Sequence, residues 1–546
     1  MREAQESDMK NVRFNVPVLL LCLTAMVAAP ASAQYTQLHN FDLHVEGANP
    51  NYPAMLAQGP DGNLYGTLQT SDPNDGSVFM STPLGTFAPL AFFNGTDGNA
   101  PQSGLTLGLD GNFYGTTVWG GSQSSTGTAF KFGSGGITDL HAFANGTDGG
   151  YPWVPPIMAP DGNLYGVTDV GASPGQIYRV APDGSGFKVI GTAPSNTQAP
   201  LILGFDGNLY GITQYGGKYN RGTIFQVSLP SGKVKIIHQF NPNKEGSVPF
   251  GPVTQNYDGT LYGTTSGGGK YGQGIVYSST LKGKLTVIHN FQGMEGSNST
   301  AGLILVLSEP DMLFGVCSSG GAAGFGTLFV VYTDNSYFKV LHDFQTADGA
   351  TPYSTPVLHT NGYIYGLTNQ GGTPNAGYGV LYDYGYATVP FVLPVVLKAA
   401  RVGDTVQFLG QGFLSTTRVI VGRQSASFHV ISDTFMTIQI PEGAGSGVIE
   451  FDEGLGGEFY TMQPFLITPQ LLNFSPPRGS VGTSVTINGD SLTQTTSVMF
   501  GKVSATFTVN SDQQITAIVP AKAKSGKIVI TTVGGAATSK TKFVVQ

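Results

Sequence analysis

Short runs in which apolar and polar residues alternate, such as Gly104–Leu109 and Thr128–Phe132, recur along the chain between glycine-rich turns. A period of two is the mark of half-buried β-strands and excludes amphipathic helices as the main element. One run, Asp110-Gly111-Asn112-Phe113-Tyr114-Gly115-Thr116-Thr117, is rewritten many times. Close relatives stand at Asp61–Gly66, Asp161–Gly166, Asp206–Gly211 and Asp258–Gly263, and worn copies at Asp311–Gly315 and Asn361–Gly366. The seven closing glycines, Gly66, Gly115, Gly166, Gly211, Gly263, Gly315 and Gly366, lie about fifty residues apart, the period of a propeller or another stacked array.

The second repeat defines the unit. Gly104–Leu109 predicts one strand, and Asp110-Gly111 predicts a tight hairpin with positive φ at both central positions. Asn112–Thr117 predicts the next strand, with Phe113 and Gly115 on one face and Tyr114 on the other. After the loop Gly120–Gly127 come a third strand, Thr128–Phe132, and a fourth, Ile137–Phe143. Four antiparallel strands in about fifty residues make one propeller blade. The ending Leu-His-x-Phe counts blades independently, at Leu38–Phe41, Leu140–Phe143, Ile237–Phe240, Ile288–Phe291 and Leu341–Phe344, with degenerate copies at Leu90–Phe93 and Ile190–Ala193. Its first copy precedes every blade, while the last repeat stops after its third strand, Gly379–Tyr384. Tyr35–Phe41 is therefore expected to complete the last blade and close a seven-membered ring, which removes exposed sheet edges.

After Tyr386 the repeat ends, and Pro390 and Pro394 mark a linker. The remaining chain is duplicated at a shift of 79 positions: Gly403 matches Gly482, Gly410 matches Gly489, Gly422 matches Gly501, Asp433 matches Asp512 and Pro441 matches Pro520. Short alternating strands between glycine and proline turns predict two small β-sandwiches. The expected organisation is a leader over 1–33, a seven-bladed β-propeller over 34–386, and two sandwiches over 387–468 and 469–546.

The motifs D-G-N-L-Y-G-T-T, G-G-x-x-x-G-T-x-F and L-H-x-F, which recur together over about Tyr35–Tyr386, resemble the GloVer tandem repeat of secreted bacterial proteins. The resemblance implies an exported, propeller-like protein and brings no agreed activity. Departures stand at Ile190–Ala193 and at Glu309-Pro310-Asp311. The two C-terminal copies resemble immunoglobulin-like IPT/TIG domains. In the second the resemblance rests on Phe474-Ser475-Pro476, Val481-Gly482-Thr483, Val485–Gly489, Val498–Gly501 and Ile515–Pro520; the first lacks the Ser-Pro entry. That family implies spacer or interaction modules without catalysis.

The N-terminus carries Lys10 and Arg13, an apolar run from Val16 to Ala29 and then Ala31-Ser32-Ala33, which together predict a signal peptide cleaved before Gln34. The apolar run is short for a bilayer span, so no membrane insertion of the mature chain is expected. Export then leaves one cysteine, Cys317, in a position where other repeats carry Thr, as a small buried hydrophobe. The formal charge of −8 and the absence of any basic cluster exclude nucleic acid as a partner.

Candidate chemistry is sparse. The repeated aspartates precede glycine in turns, where the carboxylate bonds local backbone. The loops Asn94–Gly98 and Asn145–Gly149 lack the alternating acidic ligands of a calcium loop. His39, His141, His238, His289 and His342 recur once per blade and cannot meet at one ion. There is no H-E-x-x-H and no phosphate loop with its lysine, so neither a catalytic residue nor a cofactor is assigned. What remains is a loop face. Trp119, Tyr215, Tyr219, Arg221 and Tyr271 fall in loops between strands two and three, and Tyr151 and Trp153 in a loop between blades, on the same predicted side. Flat aromatic surfaces with a few polar groups suit sugars and peptides; the competing reading is that the same rings cap the ends of blades. The leading expectation is a non-enzymatic exported binding or adhesion protein, with a glycan or a cell-surface protein as partner. A polysaccharide-acting enzyme with its site in the channel and a structural envelope scaffold are the alternatives, and the oligomeric state is open.

Overall fold

The computed structural model describes residues 34–546 except 49, 51–55, 71–74, 123–125, 170–173, 307–310, 373–376, 386–389, 397–398, 454–456 and 462. The leader expected over 1–33, the Glu309-Pro310 departure and part of the linker therefore lie outside the described residues. The chain is all-β, with one 3-10 turn at Phe413–Ser415 among the described residues.

Each repeat builds one four-stranded antiparallel sheet, and there are seven such sheets among the described residues. In the second, Thr106–Leu107, Phe113–Thr117, Thr128–Gly133 and Gly136–Ala142 lie in sequence order across the sheet, the first edge strand termed inner and the fourth outer. The seventh takes its outer strand from the far end of the chain: Tyr35–Asn40 pairs antiparallel with Val380–Gly385, with Thr36 opposite Asp383 and Asn40 opposite Val380. That is the pairing the displaced Leu-His-x-Phe count requires. The first and seventh sheets share a core, in which Phe41, Leu56, Leu64 and Phe79 pack with Tyr365, Leu367 and Leu381.

The inner hairpin differs from expectation in one respect. Gly62, Gly111, Gly162 and Gly207 take φ of 76–79°, but the preceding aspartates do not have positive φ. Hydrogen bonds Gly62 N–H to Gly59 O and Gly59 N–H to Asn63 O close a three-residue loop, a turn followed by a left-handed glycine. Asp61 instead accepts from Asn63 N–H, Asn63 Nδ2 and Tyr65 Oη, and Asp110 and Asp206 do the same in their repeats. A carboxylate so engaged needs only ordinary backbone at its own position.

The closing glycine of the motif sits opposite a fully buried aromatic ring of the third strand in all seven sheets. The pairs are Gly66–Phe79, Gly115–Phe130, Gly166–Tyr178, Gly211–Phe225, Gly263–Tyr277, Gly315–Phe329 and Gly366–Tyr382. A Cβ on any of these glycines would lie 2.3–2.6 Å from the ring or its hydroxyl, so only glycine admits it. The residue just before the inner strand is matched to the ring in volume. Where the ring is Phe that residue is leucine: Leu56, Leu105, Leu201 and Leu303. Where it is Tyr the residue is shorter: Pro156, Val253 and Pro356. The buried hydroxyls of Tyr178, Tyr277 and Tyr382 have no hydrogen-bond partner.

Neighbouring sheets are further joined at their outer strands. His39 stacks on Phe87 at 4.1 Å, His141 on Phe187 at 3.5 Å, His289 on Phe338 at 4.0 Å and His342 on Tyr35 at 3.8 Å, each pair crossing from one sheet to the next.

Beyond residue 390 the duplication at 79 positions reappears in the strands. Phe428–Ser432 and Phe435–Gln439 correspond to Phe507–Ser511 and Gln514–Ile518 at that shift. Each copy forms two antiparallel-rich sheets around its own apolar core. The first copy rests on the Asp-Gly turn side of the repeats. Ser432 and Thr434 donate to Pro60 O, Gln407 Nε2 donates to Leu109 O, and Thr360 Oγ1 donates to Gly410 O. Leu409 and Phe435 join the core formed by Phe113, Phe130 and Phe132.

His359 pins the same side. It is fully buried, accepts at Nδ1 from Asn361 N–H and donates from Nε2 to Gly62 O at 2.9 Å, which fixes the neutral tautomer. Burial lowers its pKa, outweighing its hydrogen bonds. The unfolded histidine binds its proton near pH 6.5. The stability that depends on neutral His359 is therefore complete above about pH 6.5 and is lost as pH falls through the depressed folded value.

Two outcomes are expected. In urea titrations Gly115→Ala destabilises by about 1–3 kcal/mol through overpacking against Phe130, whereas Tyr277→Phe, which deletes an unpartnered buried hydroxyl, leaves stability unchanged or raises it. In thermal melts the Tm of the wild type falls between pH 7 and pH 5, and the fall is smaller in His359→Asn.

Candidate functional site

The loops between strands two and three meet the loops between sheets on one side of the molecule, opposite the Asp-Gly turns. Bridges pair Asn99 with Trp119, Ala48 with Thr70, Ser297 with Ser319 and Ala350 with Gln370, and Gly246-Ser247 pairs with Gly267-Gly268. The expected common face of the two loop sets is therefore present. It is fixed by a threonine ladder: Thr117 Oγ1 reaches Trp119 O and Thr128 Oγ1, and Thr213 Oγ1 reaches Tyr215 O and Thr223 Oγ1.

The repeated histidines lock the inter-sheet loops. His141 Nε2 lies 3.2 Å from Asp148, His238 2.7 Å from Glu245, His289 3.0 Å from Glu295 and His342 3.2 Å from Asp348, and His39 pairs with Glu46. The same acids accept loop backbone, as Asp148 does from Ala144 N–H and Glu295 from Gln292 N–H. The acid six or seven residues beyond each histidine is the sequence signal of this clamp. Burial lowers the pKa of His141 and His342 against the opposing pull of the Asp148 and Asp348 carboxylates. The loop Asn94–Gly98 spends its oxygens internally: Asp97 accepts from Asn94 N–H, and Asn94 from Thr96. Among the described residues no three or more His, Cys, Asp or Glu side chains converge on a metal position. Cys317 is fully buried, and burial pushes its thiol pKa up.

The proposed aromatic residues are placed as follows. Trp119 is 48% exposed and meets Tyr151 edge to face, with ring centroids 4.9 Å apart. Tyr215, Tyr219 and Tyr271 are 47, 40 and 44% exposed. Lys218 Nζ stands 5.3 Å from the Tyr219 ring and Lys270 Nζ 5.0 Å from that of Tyr271, so two rings carry cations. Arg221 is exposed, and its carbonyl accepts from Val248 N–H. Trp153 does not join Trp119; it is half-buried against the core of the third sheet.

Two rings escaped the sequence reading. Phe250 and Tyr353 occupy the place of Trp153 in their own loops and are likewise half-buried. The signal was the recurrence of Tyr151-Pro152-Trp153 as Val248-Pro249-Phe250 and Thr351-Pro352-Tyr353. In each the residue before proline has positive φ, 51° at Tyr151, 55° at Val248 and 51° at Thr351. Left-handed backbone is costly for branched side chains and marks a position held by its surroundings.

On the turn side, a cleft of about 270 Å³ lies between the hairpin Gly204–Gly207 and the C-terminal copies, lined by Phe205, Pro394, Pro464 and Phe465. No helix among the described residues is long and apolar enough to cross a membrane.

The sequence pattern of the Gloeobacter/Verrucomicrobia repeat matches residues 24–175 and 107–309, and that of the IPT/TIG domain matches residues 469–545. No curated protein matches the chain. Among solved structures it is similar to the surface glycan-binding protein PbSGBP-B from Prevotella bryantii, at 18% identity over 29% of this chain and 42% of that one, with a TM-score of 0.23. It is also similar to SGBP-B from a complex xyloglucan utilization locus in Bacteroides uniformis, at 18% identity over 28% and 48%, with a TM-score of 0.15. A fungal alcohol oxidase of the AA5 family in complex with copper aligns over 94% of this chain and 99% of that one, at 12% identity and a TM-score of 0.36. The chain spans less than half the length of the two glycan-binding proteins, 42% and 48%. Likenesses this loose assign neither a ligand nor a reaction to this chain.

Proposed function

The chain belongs to the Gloeobacter/Verrucomicrobia repeat family, and from that premise we propose that it is an exported, non-enzymatic binding protein whose loop face holds a glycan. In this reading residues 34–386 form a seven-bladed propeller, the leader over 1–33 is cleaved on export, and 387–468 and 469–546 are two IPT/TIG modules serving as spacers or docking units. The inner-to-outer strand order of each sheet, the donated outer strand and the core shared by the first and seventh sheets support the ring. The equivalence of strands at 79 positions supports extending the IPT/TIG assignment to the first copy.

The observation that carries the binding function is the exposed aromatic set on one loop face, Trp119 against Tyr151 with Tyr215, Tyr219 and Tyr271, two of its rings bearing lysines. Flat rings stack on the apolar faces of sugars while nearby polar groups meet hydroxyls. The enzyme reading draws less support. The repeated aspartates and histidines, which would supply acid–base chemistry, are each bonded within their own hairpin or loop.

A glycan array probed with the chain from Gln34 onward tests the proposal. Binding is expected, and the double variant Trp119→Ala/Trp153→Ala loses it by at least tenfold while its thermal melt remains cooperative. Wild-type binding to no glycan would sink the reading and leave protein partners of the C-terminal modules.

A further inference from the structure

The position four residues before the innermost strand follows an alternating rule around the repeats. From the second sheet to the seventh it is Gln102, Trp153, Gln198, Phe250, Thr300 and Tyr353, polar and aromatic in turn. The chain at this point is leaving the loop face and entering the strand nearest the axis. If the sheets close as a ring, these six side chains surround the mouth of that axis on the loop side.

Two of the polar members are left in a state that calls for a partner. Gln102 is 4% exposed and Thr300 is 6% exposed, yet neither Gln102 Oε1 nor Thr300 Oγ1 has a hydrogen-bond partner. Buried polar atoms in folded proteins are almost always paired, because an unpaired one has lost its water for nothing. The third polar member shows the same position satisfied: Gln198 donates to Asp169 Oδ2 and accepts from Gln214 Nε2. The three aromatic members are half-buried, each held just after a residue pair that includes a left-handed position and a proline. None of the six carries a charge. The first C-terminal copy is bonded to the Asp-Gly turns of the first, second and seventh sheets through Ser432 and Thr434, Gln407 and Gly410, so the open approach is from the loop side.

We propose that this alternating ring is a subsite for a neutral sugar unit. The aromatic faces of Trp153, Phe250 and Tyr353 would meet its C–H faces, Gln102 Oε1 would accept from one hydroxyl, and Thr300 Oγ1 would exchange a hydrogen bond with another. The proposal rests on the glycan-binding reading above and locates its specificity at the axis, inward of Trp119 and Tyr215.

Isothermal titration with cellohexaose, maltohexaose, xylohexaose and chitohexaose tests it, using wild type, Gln102→Met, Thr300→Val and Trp119→Ala. These first two substitutions remove unpartnered buried polar atoms at nearly constant volume, so the Tm is expected to hold or rise. At least one hexaose binds the wild type, and Gln102→Met and Thr300→Val each weaken it by tenfold or more, whereas Trp119→Ala weakens it less than either. A rise in Tm with unchanged affinity would mean that the two polar atoms are structural, and would overturn the subsite while leaving the outer aromatic face intact. Loss confined to Trp119→Ala has the same meaning. If no hexaose binds the wild type, the glycan reading and the subsite fall together.

Discussion

The interlock of a second-strand glycine with a third-strand aromatic ring sets the terms for everything else in the repeat. A ring lying flat across the neighbouring strand fills the layer between sheets with one large group, and it can do so only where the opposite residue has no Cβ. Interiors are packed to near-crystalline density, so the residue in front of the inner strand must yield volume when the ring gains an oxygen. The exchange of Leu with Phe for Pro or Val with Tyr follows from that constraint. Seven copies of one interlock give seven sheets built to the same plan.

A second layer of regularity governs the loops. The histidine of each Leu-His-x-Phe ending is clamped on one side by an acid from its own loop and, in several sheets, on its flat face by a ring from the next sheet. Such a residue organises a loop and stacks neighbouring sheets in one step. Variation is then free to act at loop positions outside the clamp, where Trp119, Tyr215, Phe250 and Tyr353 differ from one repeat to the next.

Several features were readable in the residues because they are local or repeated. The seven glycines, the strand order and the displaced first strand follow from spacing alone, and the pairing of Thr36 with Asp383 agrees with them. The hairpin departs from the expected two-residue turn because Asp-Gly is compatible with two loop lengths. The choice between them is made by Gly59, two residues before the dipeptide, and by Tyr65, whose hydroxyl holds Asp61. Trp153 and Trp119 share the loop side in the sequence pattern, but Trp153 packs against the core of the third sheet while Trp119 stays exposed, a difference set by packing and not by spacing.

The sequence by itself determined the count and kind of the units, because a strand, a turn and a glycine that must face a ring are all encoded within about fifty residues and are repeated often enough to be unmistakable. Only the tertiary structure decided which side chains those units leave unpaired. Gln102 and Thr300 stand almost two hundred residues apart and look like ordinary loop residues. Their burial without partners is a property of packed neighbours, and no local pattern of residues records it.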